Sequence, residues 1–239
     1  MKNYKEEYWT GRAGKYDKTS WVKDEDFIDA FLGMLSERTF NSILEVGIGT
    51  GSVAKKVADN IGPLIGIDIS EEMIANINHP NITAMVGDVH KLSFDNNAFD
   101  LIYMRNVIHY IDNPDLALSE IYRCLKPGGH FLFAQVIPPD DSISEEYDWL
   151  IGRNIHYPTK SEIINYLENF HIEDINQYIL KSQSIMNWLN NTCNDEEGKN
   201  ISIDRHHETS KKYKTLVNYS VSHGDILVDI KHFMLLAVK

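Results

Sequence analysis

The chain has 239 residues, 43% of them hydrophobic, a formal net charge of −12 and only two cysteines, Cys124 and Cys193. That length and apolar fraction can fill the core of one large domain without metal ions or disulfides, and no CxxC pair suggests a zinc site. The acidic balance disfavours a nucleic-acid partner, which needs clustered Lys and Arg, and no apolar run approaches a membrane span, so a cytoplasmic protein without nucleic-acid or membrane partners is expected.

Residues 1–20 are polar but hold Tyr4, Tyr8, Trp9 and Tyr16. Phe27, Ile28, Phe31, Leu32 and Leu35 recur at helical spacing, which predicts a helix from about Asp24 to Leu35 with an apolar core face. The stretch Ser42-Ile43-Leu44-Glu45-Val46-Gly47-Ile48-Gly49-Thr50-Gly51 then reads as a buried strand and a tight glycine turn. From Ser52 a helix follows, with Val53, Ala54, Val57 and Ala58 on one face. Unpaired N–H groups at the helix start, and its positive dipole end, suit a ligand carboxylate, hydroxyl or phosphate. The missing Cβ atoms let a ligand lie against the backbone. The dinucleotide fingerprint G-x-G-x-x-G would need a glycine where Ser52 stands, and Gly51 comes one residue early. Glu45 would repel a pyrophosphate and attract a cation. S-adenosylmethionine, with a sulfonium, an ammonium and one carboxylate, fits this pattern better than NAD, which disfavours an NAD oxidoreductase.

Gly62-Pro63 stops the helix, and Leu64–Ile67 forms a strand ending at Asp68. The distance from the first glycines is close to the roughly 20 residues expected for an acid that accepts both ribose hydroxyls through charge-assisted bonds. Asp68 could instead cap a helix, but Ser70 serves that role better, with Glu72 and Met73 in the first turn. Asn81–Val86 is a third strand ending at Gly87-Asp88, Asn96-Asn97 a turn, and Phe99–Met104 a fourth strand. Arg105 and Asn106 lie where that strand runs out, the side on which open α/β sheets bind ligands. Asn113 caps a helix with Pro114 at its first position and Ala117, Leu118, Ile121, Cys124 and Leu125 toward the sheet. Lys126–Gly129 ends it, and His130–Val136 is the fifth strand.

Four segments in this order resemble the class I S-adenosylmethionine-dependent methyltransferases of small-molecule type. EVGIGTG is similar to their first motif, and GIDIS at Gly66–Ser70 to their second-strand ending. GDVHKLSFDNNAFDLI, Gly87 to Ile102, resembles the adenine-side loop and fourth strand, and LKPGG at Leu125–Gly129 the turn before the fifth. Together they cover roughly the first 140 residues. The resemblance implies a Rossmann-like α/β sandwich with a mostly parallel seven-stranded sheet whose last strand is antiparallel. It implies S-adenosyl-L-methionine as cofactor, contacted by Glu45, Gly47, Ile48, Gly49, Gly51, Asp68, Asp88, Val89 and Arg105. Asp88 would accept the adenine amino group, the Val89 backbone would donate to a ring nitrogen, and Ile69 and Met73 would flank the adenine. A core-only role for Met73 stays equally open. The run Arg12–Asp17 resembles the aromatic N-terminal segment that folds over the cofactor, with Tyr16 at the methionine end. Arg105-Asn106-Val107 also resembles the quinone-biosynthesis C-methyltransferases. The implied reaction is in-line transfer of a methyl group to O, N or C of a small-molecule acceptor, achieved mainly by positioning. A general base is needed only if the acceptor arrives protonated, and His109 is the candidate.

Beyond Pro139 the resemblance thins. Ser142–Ile151 reads as a helix with Tyr147, Trp149 and Leu150. Thr159 and Glu162 form a capping box for a helix over Lys160–Glu168. Phe170–Leu180 and Ile226–Val238 read as the closing strands, which in the family join directly. Here residues 181–225 intervene, with a helix around Ser184–Asn191, a polar acidic stretch at Asn194–Gly198 and a helix near Ser210–Tyr219. The expectation is a single domain over 1–239, a helical cap over 1–35, and a helical lid over the acceptor at 181–225, with a homodimer interface or a solvated excursion as the alternatives for the insertion. Asn106, Trp149, Trp188, His206 and Tyr213 are the candidate acceptor contacts, with Tyr219 and His207 beside them. Adjacent His206 and His207 face different ways on a helix, so no metal site is expected. A protein or RNA methyltransferase, or a non-catalytic subunit that keeps the cofactor fold, are the rival functions.

Overall fold

The computed structural model describes residues 9, 11–152, 155–193 and 195–239; Tyr4, Tyr8 and Asn194 lie outside them. Five strands, β1 (Ile43–Val46), β2 (Leu64–Asp68), β3 (Ile82–Val86), β4 (Phe99–Arg105) and β5 (Leu125–Val136), run parallel. Two long strands close the sheet: β6 (His171–Ser184) and β8 (Asp225–Val238). The order is β3-β2-β1-β4-β5-β8-β6, with β8 antiparallel to both neighbours. This is the expected seven-stranded Rossmann-like path. An eighth strand, β7 (Ser220–Ser222), lies off the path and pairs with β8 alone. A two-residue turn at His223-Gly224 joins them, both residues at positive φ, the backbone of a tight hairpin.

Alternate residues of the central strands feed opposite faces, as the period of a strand requires. Ile43, Leu101, Tyr103 and Leu132 go to one core, and Leu44, Val46, Ile102, Met104 and Phe131 to the other. The helices, in chain order, are α1 (Ala13–Tyr16), α2 (Glu25–Gly33), α3 (Ser52–Asn60), α4 (Glu71–Ile74), α5 (Pro114–Cys124), α6 (Ser144–Ile151), α7 (Lys160–Tyr166), α8 (Ile185–Thr192), α9 (Glu196–Glu208) and α10 (Lys211–Leu216). α2 and α3 cover the first core, and α5 and α7 the second. Asp24 caps α2, Ser70 caps α4, Asn113 caps α5, and Thr159 and Glu162 make the expected capping box on α7.

The sequence reading gives 194–198 as a polar stretch, but α9 begins at Glu196 and continues for 13 residues with Asp195 as its cap. Its buried residues are Ser202 and His206, whereas Ile201 is exposed, so no apolar stripe marks the helix. Polar bonds dock it. Ser202 Oγ donates to the Leu150 carbonyl (3.2 Å) and Arg205 Nη1 to the Trp149 carbonyl (2.6 Å). Glu146 on α6 accepts from Thr209 Oγ1 (2.6 Å), Ser210 N (2.7 Å) and Ser210 Oγ (2.8 Å). Asp225 at the start of β8 accepts from Ser184 Oγ and Met186 N, fastening α8. Apolar side chains of the same region, among them Leu150, Tyr157, Trp188, Leu189 and Val217, join the first core.

Among the described residues no helix is long and apolar enough to cross a membrane, and no group of three or more His, Cys, Asp or Glu is arranged to hold a metal ion. Cys124 is buried, Cys193 partly so, and both are free thiols.

Glu146→Ala removes the acceptor shared by three donors at the start of α10. An expected loss of about 1–3 kcal/mol would be read as a lower Tm, and hydrogen exchange should rise selectively over residues 196–216.

Candidate functional site

A cleft of about 610 Å³ opens at the carboxyl ends of β1, β2 and β4, within the usual range for small-molecule pockets. Its floor is the turn between β1 and α3. The Gly47 and Ile48 N–H groups both donate to the Ile67 carbonyl, at 2.8 and 2.9 Å, which pulls the turn against β2. Gly47 has φ +73°, and a Cβ placed there would stand 2.3 Å from Val107 Cγ2. The position needs glycine for both its backbone and its neighbour. Asp68, at the end of β2, accepts from Gly49 N (2.8 Å) through Oδ2 and from Ser70 N (3.0 Å) through Oδ1. Burial raises the Asp68 pKa, and the Ser70 and Gly49 N–H groups oppose the rise.

Glu45 differs from its sequence reading. It is 3% exposed in the middle of β1, with the Tyr103 hydroxyl donating to Oε2 at 2.8 Å. Burial pushes its pKa up to about 8, against the lowering effects of Tyr103 and Arg105. In the ligand-free protein it therefore keeps its proton at neutral pH rather than presenting a standing negative charge. A cation in the cleft would favour ionisation.

Of the sequence-designated cofactor contacts, the cleft brings together Tyr16, Glu45, Gly47, Ile48, Gly49, Asp68, Ile69, Met73, Asp88, Val89 and Arg105. Met73 is buried and lines the cleft, so its two readings are compatible. Asp88 Oδ1 accepts from His90 N (2.9 Å) and lies 2.7 Å from His90 Nδ1. Gly51 is not part of the lining. It caps α3 in the left-handed region and faces Ile77. Arg105 lines the wall, but its guanidinium is committed inward: Nη1 donates to the Val22 carbonyl (2.9 Å), Nη2 to the Trp21 carbonyl (2.7 Å), and the group lies 4.4 Å from the Phe27 ring centroid. Its primary role is to tie the N-terminal segment to the end of β4.

A smaller cavity of about 80 Å³ adjoins the cleft, and Tyr16, Asn106 and Tyr110 line both. Tyr16 thus stands where the two spaces meet. Asn106 is less available than its sequence position implied. Held at φ +55°, it accepts from Val136 N (2.8 Å) through Oδ1, and its Nδ2 is 3.3 Å from His232 Nε2. His109 lines the small cavity, with Gln135 Nε2 donating to its Nδ1 at 2.8 Å and the Tyr157 ring stacked on it at 4.6 Å. Because Gln135 Nε2 also donates to the Val136 carbonyl, the amide orientation is fixed and Nδ1 is the acceptor of the pair. Trp188, His206 and Tyr213 reach this cavity from the insertion. Trp149 does not. It is 42% exposed, beneath the Arg205 guanidinium. Tyr219 and His207 pair with each other instead, hydroxyl to Nδ1 at 3.0 Å.

The sequence reading missed Trp21, Tyr110 and Tyr157 as lining residues. Tyr110 directly follows His109 in a 3₁₀ turn and packs 4.8 Å from Trp9, a placement its spacing alone could have suggested. Trp21 and Tyr157 carry no spacing signal, since each is brought in by tertiary folding.

Residues 44–133 match the methyltransferase domain family. A demethylmenaquinone methyltransferase of Symbiobacterium thermophilum is 32% identical over 138 residues, 53% of this chain and 52% of that protein. The chain spans about half or less of the length of the curated relatives it first matches. A putative methyltransferase of Bacillus halodurans superposes with a TM-score of 0.78 at 21% identity, covering 90% of this chain and 99% of the other. A phosphoethanolamine N-methyltransferase of Haemonchus contortus, solved with phosphomonomethylethanolamine and S-adenosylhomocysteine, superposes at 0.67 and 19% identity, covering 98% of this chain and 58% of the other. Fold and motif order agree with that match: residues 44–133 are a methyltransferase domain, and the sheet around them has the fold of the solved methyltransferases.

Two expectations follow from the site. Gly47→Ala forces a Cβ into Val107 and into left-handed backbone, so stability should fall by about 1–3 kcal/mol, read as a lower denaturant midpoint. For Glu45, the folded-state pKa is raised, so its contribution to stability is intact below pH 4.5 and is lost as pH rises through about 8. Glu45→Gln cannot ionise. The Tm of the variant relative to wild type should therefore climb between pH 5 and 8, and a flat difference would contradict the assignment.

Proposed function

We propose that the protein binds S-adenosyl-L-methionine in the larger cleft and transfers its methyl group to a small molecule held in the adjoining aromatic cavity. The observation that carries this reading is the meeting of the two spaces at Tyr16, Asn106 and Tyr110. A cofactor site alone would need no second cavity on the same wall.

The residues fit the cofactor. The glycine turn lines the cleft with Gly47, Ile48 and Gly49, and a Cβ at Gly47 would strike Val107, so the turn keeps its bare backbone there. Asp68 keeps lone pairs free beyond the two it commits to Gly49 and Ser70, enough for a pair of ribose hydroxyls. Asp88 and Val89 line the far side, suited to an adenine edge, and Met73 supplies an apolar face. Glu45, protonated when the cleft holds no cation, would release its proton to a ligand that brings positive charge nearby. Bound there, S-adenosylmethionine supplies an electrophilic methyl on a sulfonium.

The chain's part is then to align and to dehydrate. Tyr16 and Tyr110 border the passage between the spaces, and Trp188, His206 and Tyr213 wall the acceptor side. Because these last three come from α8, α9 and α10, the insertion acts as the lid over the acceptor. His109, the base candidate from the sequence, is positioned by Gln135 and Tyr157; with Nδ1 accepting from Gln135, its neutral ring carries the hydrogen on Nε2 and offers a donor there, so no base is assigned to it. The quinone-biosynthesis relative favours a small ring-bearing acceptor, and methylation at O, N or C is compatible with this cavity.

Asp68→Ala should weaken S-adenosylhomocysteine binding about 10- to 100-fold in calorimetry, the loss of charged hydrogen bonds worth roughly 1.5–3 kcal/mol. An unchanged Kd would remove Asp68 from the site. Screening small molecules for uptake of a labelled methyl group tests the activity itself, and wild-type protein that fails to bind the cofactor would refute it.

A further inference from the structure

The small cavity holds three polar atoms that the fold leaves uncommitted. On α9 the His206 ring is 2% exposed, and its Nδ1 lies 2.7 Å from the Ser202 carbonyl oxygen one turn earlier. A carbonyl only accepts, so Nδ1 carries the hydrogen and donates. Burial lowers the imidazole pKa, which keeps the ring neutral and leaves Nε2 as a bare acceptor. No described residue hydrogen-bonds His206 Nε2, or the hydroxyls of Tyr147 on α6 and Tyr213 on α10. None of these atoms is sealed in the interior without a partner, and all three side chains line the cavity. Tyr213 stands 6.3 Å from His206, ring to ring, and is close enough to Tyr147 to help raise its pKa.

The lining also offers no positive charge. It contains no Lys or Arg, and its only carboxylate, Asp229, accepts from Ser182 N (2.8 Å) on one oxygen and Asn218 Nδ2 (2.7 Å) on the other. The remaining walls are aromatic and aliphatic, with Trp21, Tyr157 and Trp188 among them. Aromatic walls favour planar rings. A phosphate or carboxylate would meet no cation here, whereas an uncharged hydroxyl would meet an acceptor and two hydroxyls.

We propose that this cavity anchors the hydroxyl of a small, uncharged, single-ring acceptor of phenol or enol type, with His206 Nε2 accepting the hydroxyl hydrogen and Tyr147 and Tyr213 bonding its oxygen. The volume of about 80 Å³ is roughly half that of an apolar cavity of about 150 Å³ known to hold benzene. A single ring therefore enters only in part, hydroxyl edge first, and its opposite edge extends through the neck at Tyr16, Asn106 and Tyr110 toward the cleft. His206, Tyr147 and Tyr213 set which molecule is held; the atom that is methylated lies at the other edge. The acceptor role rests on the methyl-transfer reading, but the binding itself does not.

The test is titration of the full chain with phenol, toluene and benzoate, followed by calorimetry or ligand-observed NMR, with S-adenosylhomocysteine titrated into the same samples. Phenol should bind at least about fivefold more tightly than toluene, because a site built around hydrogen bonds rejects an analogue without them. His206→Phe and Tyr213→Phe should each weaken phenol about 3- to 10-fold while leaving toluene unchanged. Phenol affinity that is equal in wild type and Tyr213→Phe, tighter binding of benzoate than of phenol, or no phenol binding at all would each overturn the proposal. Should His206→Phe fail to fold, the Tyr213→Phe comparison decides alone. Loss of S-adenosylhomocysteine binding with phenol binding intact would sink the methyltransferase reading and leave this one standing.

Discussion

The Asp68 carboxylate is the fastening on which the site depends. It takes the Gly49 N–H with one oxygen and the Ser70 N–H with the other, joining the glycine turn after β1 to the start of α4 after β2. Without that clamp the turn would keep its backbone bonds to Ile67 but lose its link to the start of α4. The same acid is the one suited to ribose hydroxyls. Both duties are compatible because an ionised carboxylate offers about four acceptor positions, of which the fold uses two. The clamp is also a means of pre-organisation: the carboxylate is already oriented before any ligand arrives, so binding need not order it.

Electrostatics reinforce that arrangement. The cleft gathers Glu45, Asp68, Asp88 and Asp112 around one buried cation, Arg105, and Arg105 is turned toward the Trp21 and Val22 carbonyls rather than toward the opening. The excess of acid makes the space hospitable to a cation and hostile to a pyrophosphate. Glu45 sits deepest and is the most strongly affected, since burial drives it to hold a proton that a bound cation would displace. The same Arg105 contacts couple the N-terminal segment to the end of β4, so the element that carries Tyr16 is tied to the cleft it borders.

The cofactor half was legible in the sequence because backbone geometry there admits few residue types. Gly47 can be nothing larger beside Val107, Ser70 caps α4 as its type suggests, and Asp68 falls where a second strand must end. Two misreadings in this half have local causes. Gly51 answers to Ile77 and the start of α3 rather than to a ligand, and the ionisation of Glu45 is set by burial that a sequence does not display. The acceptor half was much less legible. Tyr147, Tyr157, Trp188, His206 and Tyr213 come from separate elements and share only a tendency to be buried. The helix α9 was hidden because its inward face is Ser202 and His206, docked by hydrogen bonds to α6 where an apolar stripe would ordinarily have announced it. Trp149 is an aromatic on α6 that stays largely exposed beneath Arg205, outside the cavity.

The claim that organises this account is that the turn after β1, clamped by Asp68, receives a cationic nucleoside-linked amino acid. A crystal structure grown with S-adenosylhomocysteine tests it most directly. The account predicts ligand density lying along Gly47–Gly49 with its ribose at Asp68 and its base beside Asp88 and Val89. A cleft left empty at saturating ligand, or density seated elsewhere on the protein, would contradict it.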